Sequence, residues 1–191
     1  GRVGSCAGWN TTYYAFTIVR RIETRSKIGP FSPLSTFNKV NTKLYGDISC
    51  EDGTYLEDCL ELLVNQGAPL FNENQKCEKD EYNRTYLNKL SSYRNLIVNQ
   101  HNFKSALIRK EPIVIGLQVY KLSLWSHSLD ASNISSDGEW VFSEKEGVDY
   151  KLTGHGLCII GFDDVKFGGS FLVVNSWDKD WGKDGCFWIK Y

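Results

Sequence analysis

The sequence predicts an α+β fold with two lobes, because helical periodicity fills the first part of the chain and strand signals fill the second. Apolar residues recur at 3–4 spacing between residues 6 and 65, whereas apolar and β-branched runs broken by glycine turns follow Lys110. Helices followed by strands are typical of α+β proteins. We expect one domain over residues 1–191, with a mainly helical lobe over 1–84 and a mainly β lobe over 85–191.

Four helices are predicted in the helical part and at its boundary. The first runs from Cys6 to about Glu23, where Trp9, Tyr13 and Phe16 begin an apolar stripe, and Ser5 is its predicted N-cap. The further helices cover residues 34–40, 54–65 and 102–109.

Four strands are predicted after Lys110, at residues 112–120, 155–162, 170–175 and 186–191. A turn with two adjacent glycines at 163–169 joins the middle two as a hairpin. The charged segment 76–84 is expected to cross between the lobes on the surface, and 123–151 is expected to be a long polar connection with weak strand signals at 140–142.

Composition excludes several classes of protein. The chain has 191 residues, is 41% hydrophobic and 14% aromatic, and carries a net charge of −1, so it can form a core. A nucleic-acid-binding domain would show a basic excess, which is missing here. No run approaches the ~18 apolar residues of a membrane-spanning helix. The absence of Met, even at position 1, predicts an internal piece or a processed product.

The six cysteines lie at positions 6, 50, 59, 77, 158 and 186 and include no C-x-x-C pair, which argues against zinc. If Cys6 is reactive, five remain and cannot all form disulfides. Free thiols favour a reducing compartment, whereas three N-x-S/T sequons, at Asn10, Asn83 and Asn133, favour secretion. The sequence therefore leaves the compartment open, as it does the oligomeric state.

Three residues supply the groups that a thiol-based acyl-transfer enzyme needs. Cys6 opens a helix, whose dipole stabilises a thiolate at that end. His155 lies between two glycines at the start of a strand, and Asn175 ends the next strand, where its side-chain oxygen can accept the imidazole N–H. Trp177 is placed to cover that hydrogen bond.

Each of these residues has an ordinary structural interpretation when taken alone. A lone Cys near a chain end is usually structural, and a lone His in a strand is usually a core or surface residue. His101 in a polar helical region and His127 in a serine-rich loop are given that interpretation, and Asp163 and Asp164 are expected to start a turn. The combination is what favours catalysis.

The combination resembles the papain-like cysteine peptidases (family C1, clan CA). The resemblance rests on Gly4-Ser5-Cys6 before a helix, Gly154-His155-Gly156 opening an apolar strand, and Asn175-Ser176-Trp177 followed by Trp181-Gly182. The C-terminal stretch, residues 152–191, is the specific part, and the match at 4–16 is looser. It implies an antiparallel, barrel-like β lobe, a groove between the lobes, a peptide or protein substrate, and no metal or cofactor.

The resemblance also implies a role for each matching residue. Cys6 would be the nucleophile and supply one oxyanion donor through its backbone N–H, His155 the general base and acid, and Asn175 the orienting residue. Substrate contacts would come from Gly53, Thr54, Tyr55, Thr153, Gly154, Gly156, Trp177 and Trp181.

Several positions depart from the family pattern and predict a distant, non-lysosomal, microbial or viral branch. The oxyanion-hole Gln would fall just before residue 1, Ala7 replaces a Trp, and Asp178 replaces a Gly. Val3 replaces the Cys that usually bridges to the position of Cys50, which implies that Cys50 loses that partner and that the disulfide framework of secreted relatives is absent. The end at Tyr191 is earlier than in typical members, which implies that part of the pocket floor is missing.

Two alternatives to a peptidase remain open at this point. One is another thiol acyl transferase on the same scaffold, such as an amidase, a transglutaminase-like enzyme or a leader-peptide processor. The other is a catalytically silent domain that binds peptides or a partner, which the exchange at Ala7 and the position of the missing Gln keep open.

Overall fold

The computed structural model describes residues 3–79, 85–121, 133–141 and 151–191, and places the helices before the strands, as predicted. The α-helices are α1 (Cys6–Gly8), α2 (Thr17–Thr24), α3 (Pro33–Tyr45), α4 (Leu56–Asn65) and α5 (Gln100–Ile108). The strands are β1 (Ile113–Lys121), β2 (Lys151–Asp163), β3 (Ser170–Val174) and β4 (Cys186–Lys190). None of the helices in these ranges is long and apolar enough to cross a membrane.

The helix predicted to begin at Cys6 forms as one continuous element, although it is not α-helical throughout. A π-helical segment, Trp9–Phe16, joins α1 to α2 without a break, and we call the three together the N-terminal helix. It ends at Arg25, whose φ of 51° is left-handed. Ser5 is the N-cap residue, as predicted, although its side chain makes no capping hydrogen bond.

The other helices begin and end where local chemistry allows. Helix α3 is longer than the predicted 34–40, because Ser32 caps it by accepting from the Ser35 N–H at 3.2 Å and it continues to the left-handed Gly46. Helix α4 begins at Leu56, two residues later than predicted, and α5 lies within two residues of the predicted 102–109.

The strands form a four-stranded antiparallel sheet in the order β1-β2-β3-β4. Gly116 and Leu117 of β1 pair with Gly156 and His155 of β2. Strand β2 begins at Lys151, before the predicted residue 155. The weak strand signal at 140–142 corresponds to an isolated bridge between Ile134 and Trp140, while residue 142 lies outside the described residues.

Among the described residues, four apolar clusters hold the helices and the sheet in place, and one of them joins α1, α3 and α4 through Ala7, Val40 and Leu62. One packs α5 on the sheet around Phe103, Leu157 and Phe187, and another fills the helical part around Phe16 and Leu63. The cluster that matters most for the site lies where the N-terminal helix meets the sheet, with members Ala15, Cys158, Val174, Tyr14, Val114 and Cys186. This last cluster positions the N-terminal helix against β2 and β3.

A disulfide joins Cys50 to Cys77, so Cys50 has a partner other than the family cysteine that Val3 replaces. The partner is 27 residues away in the charged segment after α4, and connectivity of this kind cannot be deduced from a sequence alone. The Cys50 carbonyl also accepts from the Gly4 N–H at 2.8 Å, which ties the disulfide loop to the residues that precede Cys6. Cys6, Cys59, Cys158 and Cys186 are free thiols.

Candidate active site

Cys6 lies at the start of the N-terminal helix and directly against β2. The backbone N–H of Gly156 points at the Cys6 sulfur, with 3.4 Å between nitrogen and Sγ. A Cβ on Gly156 would lie 3.4 Å from the Cys6 carbonyl oxygen and from the Ala7 nitrogen, so the glycine brings the strand backbone to van der Waals contact with the helix.

His155 and Asn175 are joined as the sequence predicted. His155 Nε2 lies 2.8 Å from Asn175 Oδ1, and both residues are buried. The same Oδ1 accepts from the Ser176 backbone N–H at 2.8 Å, which fixes the orientation of the amide. Because an amide oxygen only accepts, Nε2 is the protonated ring nitrogen, and Nδ1 is the nitrogen that can take up a proton.

The backbone of Asn175 is held on both sides. Its N–H donates to the Gly185 carbonyl at 2.9 Å, and its carbonyl accepts from the Tyr14 hydroxyl at 3.1 Å. Burial is the main cause that raises the pKa of Tyr14 to about 12, so this hydroxyl keeps its proton at neutral pH. Tyr14 therefore links the N-terminal helix to the end of β3.

Trp177 covers the histidine, and Trp181 supports Trp177. The rings of His155 and Trp177 have centroids 4.9 Å apart, and Trp181 meets Trp177 edge to face at 5.6 Å. Trp181 is buried and also packs edge to face on Phe187 in the core of the sheet. The stack shields one face of the imidazole from water and is anchored in the core.

Asp178, which stands where the family pattern has glycine, adopts a left-handed backbone with φ of 76°. Asp178 therefore keeps the backbone conformation that glycine favours, and aspartate tolerates the left-handed region better than most residues do. Its carbonyl accepts from the Trp181 N–H at 3.3 Å, so the turn that carries both tryptophans keeps its hydrogen bond.

The residues assigned to substrate contacts fall into two groups. Gly53 and Thr54 lie in the loop before α4, where the Gly53 carbonyl accepts from Tyr45 and Thr54 Oγ1 lies 3.5 Å from Cys59 Sγ. Tyr55 is largely exposed at 70%. Thr153 and Gly154 precede His155 in β2, opposite Val119 and Gln118 of β1, and their contact with a substrate stays a prediction.

A cavity of about 890 Å³ lies between the N-terminal helix and β1. Its lining is mainly apolar and includes Leu56, Leu60, Leu90, Ile115 and Gly116. Gly116 pairs with Gly156, so one wall of the cavity belongs to the strand next to the one that carries His155.

Two residues of the site were missed by sequence reasoning, Asn10 and Tyr14. Asn10 was noted only as a sequon, yet its side chain is completely buried and donates hydrogen bonds to the Cys6 and Gly156 carbonyls. An asparagine held in this way is not exposed to a glycosyltransferase in the folded protein. The signal available in the sequence was its spacing of four residues from Cys6, which places both on one helix face.

The sequence model of the papain family cysteine proteases matches residues 3–191. The chain belongs to this family. Among its relatives is cathepsin S of Bos taurus, 27% identical over 97% of this chain and 53% of the relative. An uncharacterized peptidase C1-like protein of Acanthamoeba polyphaga mimivirus is 24% identical over 74% of this chain and 42% of the relative. The papain-family chain thus spans about half the length of these relatives.

Solved structures of papain-family proteins share the fold. Xylellain, a cysteine protease from Xylella fastidiosa, superposes with a TM-score of 0.72 at 21% identity, over 100% of this chain and 74% of that one. A Carica candamarcensis cysteine protease gives a TM-score of 0.66 at 17% identity, over 100% and 80% of the two chains. The predicted α+β papain-like fold is confirmed.

Proposed function

We propose that this papain-family chain hydrolyses peptide bonds with Cys6 as nucleophile, His155 as general base and acid, and Asn175 as the orienting residue. Residues 1–84 and 85–191 would form the two lobes beside its groove. The observation that carries the proposal is the 2.8 Å hydrogen bond between His155 Nε2 and Asn175 Oδ1. The residue after His155 is Gly156, whose N–H points at Cys6 Sγ.

The first chemical step would be attack of the Cys6 thiolate on a peptide carbonyl carbon. His155 takes the thiol proton on Nδ1, because Nε2–H is bound to Asn175. The negative charge then moves from sulfur to the carbonyl oxygen, and the Cys6 backbone N–H at the helix N-terminus can donate to it. Asn175 keeps the ring in the tautomer that this step needs.

The second half of the reaction returns the enzyme to its starting state. The imidazolium gives its proton to the leaving amine as the C–N bond breaks, and an acyl group remains on the Cys6 sulfur as a thioester. His155 next accepts a proton from water, whose oxygen attacks the thioester carbonyl. The carboxylic acid leaves, and the proton returns to the sulfur.

Substrate would lie along both sides of Cys6. The backbone of Gly53 is proposed to pair with the extended chain. The side-chain pocket would be bordered by Thr54 and Tyr55 on one side and by Thr153 and Gly156 on the other, and Gly154 would leave room for the substrate beside the imidazole. Trp177 and Trp181 would shape the leaving-group side, because Trp177 stacks on His155 at 4.9 Å between ring centroids. Relatives that carry the names cathepsin S and cysteine protease support a protein or peptide as substrate.

Alkylation tests this assignment. Iodoacetamide at neutral pH is expected to modify Cys6 first, and peptidase activity should fall in proportion to that modification. Burial raises the pKa of Cys59 to about 12 and raises that of Cys158 even further, so both stay protonated and should react only after unfolding. Peptide mapping by mass spectrometry measures the modified position.

Cys186 provides the control for alkylation, because it is a half-buried free thiol whose pKa is raised mainly by burial. The Cys186→Ala variant should be inactivated at the same rate as the unmodified sequence. Full activity after complete modification of Cys6 would show that the proposed nucleophile is wrong. A protein that cleaves no peptide but transfers acyl groups to amines, or one whose Cys6 reacts no faster than a simple thiol, would instead support one of the two alternatives.

A further inference from the structure

Asn10 occupies the contact between the residue that carries the thiol and the residue that follows the histidine. It lies four positions after Cys6, in the π-helical segment of the N-terminal helix, and is 0% exposed. Its Nδ2 donates to the Cys6 carbonyl at 2.9 Å and to the Gly156 carbonyl at 2.7 Å. One side chain therefore bridges helix and strand beside the reacting groups.

The amide of Asn10 matches this position chemically. Two carbonyl oxygens converge there, and a side-chain NH₂ group has two hydrogens to offer them. If the amide were reversed, Oδ1 would face the two carbonyl oxygens. The two carbonyls therefore fix the orientation of the amide, with Nδ2 toward them. Its Oδ1 is buried and has no hydrogen-bond partner among the described residues, which indicates that the side chain is held by its donor end.

We propose that Asn10 is a positioning residue that holds β2 against the start of the N-terminal helix and so sets the approach of the His155 ring to the Cys6 thiol. The inference rests on the proposed function, and adds a fourth side chain to its machinery. Asn10 touches neither substrate nor reacting atoms, and acts through the backbones of Cys6 and Gly156.

Further contacts between the helix and the sheet lie farther along the N-terminal helix. Ala15 packs on Cys158 and Val174, and Tyr14 bonds the Asn175 carbonyl. These contacts should keep the helix docked when Asn10 is changed. At the Cys6 end, the Gly156 N–H donates to Cys6 Sγ, and a thiol sulfur is a weak acceptor. The two hydrogen bonds of Asn10 are therefore the stronger link between the strand and the helix at this end.

Variants of Asn10 and of a matched asparagine test the proposal. Asn10→Ala removes the side chain, and Asn10→Asp keeps its shape but replaces the donor with a carboxylate. Asn38→Ala is the control, because Asn38 is equally buried and donates from Nδ2 to the Lys76 carbonyl at 2.9 Å, within the helical part of the chain. All three variants lose one buried amide.

Both Asn10 variants are expected to lower kcat/KM by about 10²-fold, mostly through kcat, because displacement of a reacting group by about 1 Å has an effect of this size. The pH–rate profile for iodoacetamide labelling of Cys6 should move to higher pH, since the imidazole no longer meets the thiol at the same distance. Asn38→Ala should keep both readouts within about twofold of the unmodified chain.

The proposal is overturned if folded Asn10→Ala retains both the kcat/KM and the labelling profile of the unmodified chain, or if Asn38→Ala changes them equally. If Asn10→Ala and Asn10→Asp do not fold, Asn10→Ser is measured instead. Its hydroxyl keeps one donor, so the labelling profile should shift by an intermediate amount, and an unchanged profile overturns the proposal. If the unmodified chain cleaves no peptide, the labelling profile alone decides, so the proposed function can fail while this inference stands.

Discussion

Replacement of Cys6 by Ala is expected to abolish peptide hydrolysis, with kcat/KM falling by roughly 10⁴- to 10⁶-fold. The acyl intermediate forms on the Cys6 sulfur, and no neighbouring thiol can substitute for it. Cys59 and Cys158 are buried, and burial raises the pKa of both thiols far above neutrality. Alanine fits the position sterically, so the fold should remain.

The measurement is the initial rate of cleavage of a fluorogenic peptide by purified Cys6→Ala, compared with the unmodified chain. Cys186→Ala serves as the matched control, because it removes another incompletely buried thiol that lies in the sheet and has no part in the proposed reaction. It should retain activity. Unchanged cleavage by Cys6→Ala would mean that the nucleophile lies elsewhere.

His155→Ala is expected to lower kcat/KM almost as far as Cys6→Ala, because one imidazole both accepts the thiol proton and donates it to the leaving amine. The two residues act as a unit, so the double variant should lose no more than the more damaging single one. Removal of the ring also removes the partner of Asn175 Oδ1 and the surface on which Trp177 stacks.

A double-mutant comparison measures this coupling, with His101→Ala as the control. His101 is exposed near the start of α5 and was given a purely structural interpretation from the sequence, so its replacement should leave kcat/KM unchanged. Losses from Cys6→Ala and His155→Ala that simply add in free energy would contradict a shared proton-transfer step.

Local patterns were enough to predict most elements and the pairing of His155 with Asn175. His155 lies on β2 and Asn175 directly follows β3, and a short glycine hairpin joins these antiparallel strands, so their proximity follows from strand order. The helix that opens at Cys6 was equally readable, since its apolar stripe repeats at helical spacing. Both are short-range features of the chain.

The missed features depend on contacts between distant parts of the chain. Cys77 lies in a charged segment with no periodic signal that could have placed it beside Cys50, and the bridge from Asn10 spans 146 residues to Gly156. At Asp178, the exchange of the family's glycine was visible in the sequence, but the positive φ that this aspartate adopts was not predicted.

The most direct test of the central claim is to trap the acyl-enzyme. The unmodified chain is mixed with a peptide ester whose acyl group leaves slowly, quenched in acid, and mapped by mass spectrometry, with Cys6→Ala treated in parallel. We expect one acyl group per chain, bound to Cys6, and none on the variant. Peptide cleavage without acyl on Cys6, or with acyl on another residue, would contradict the account.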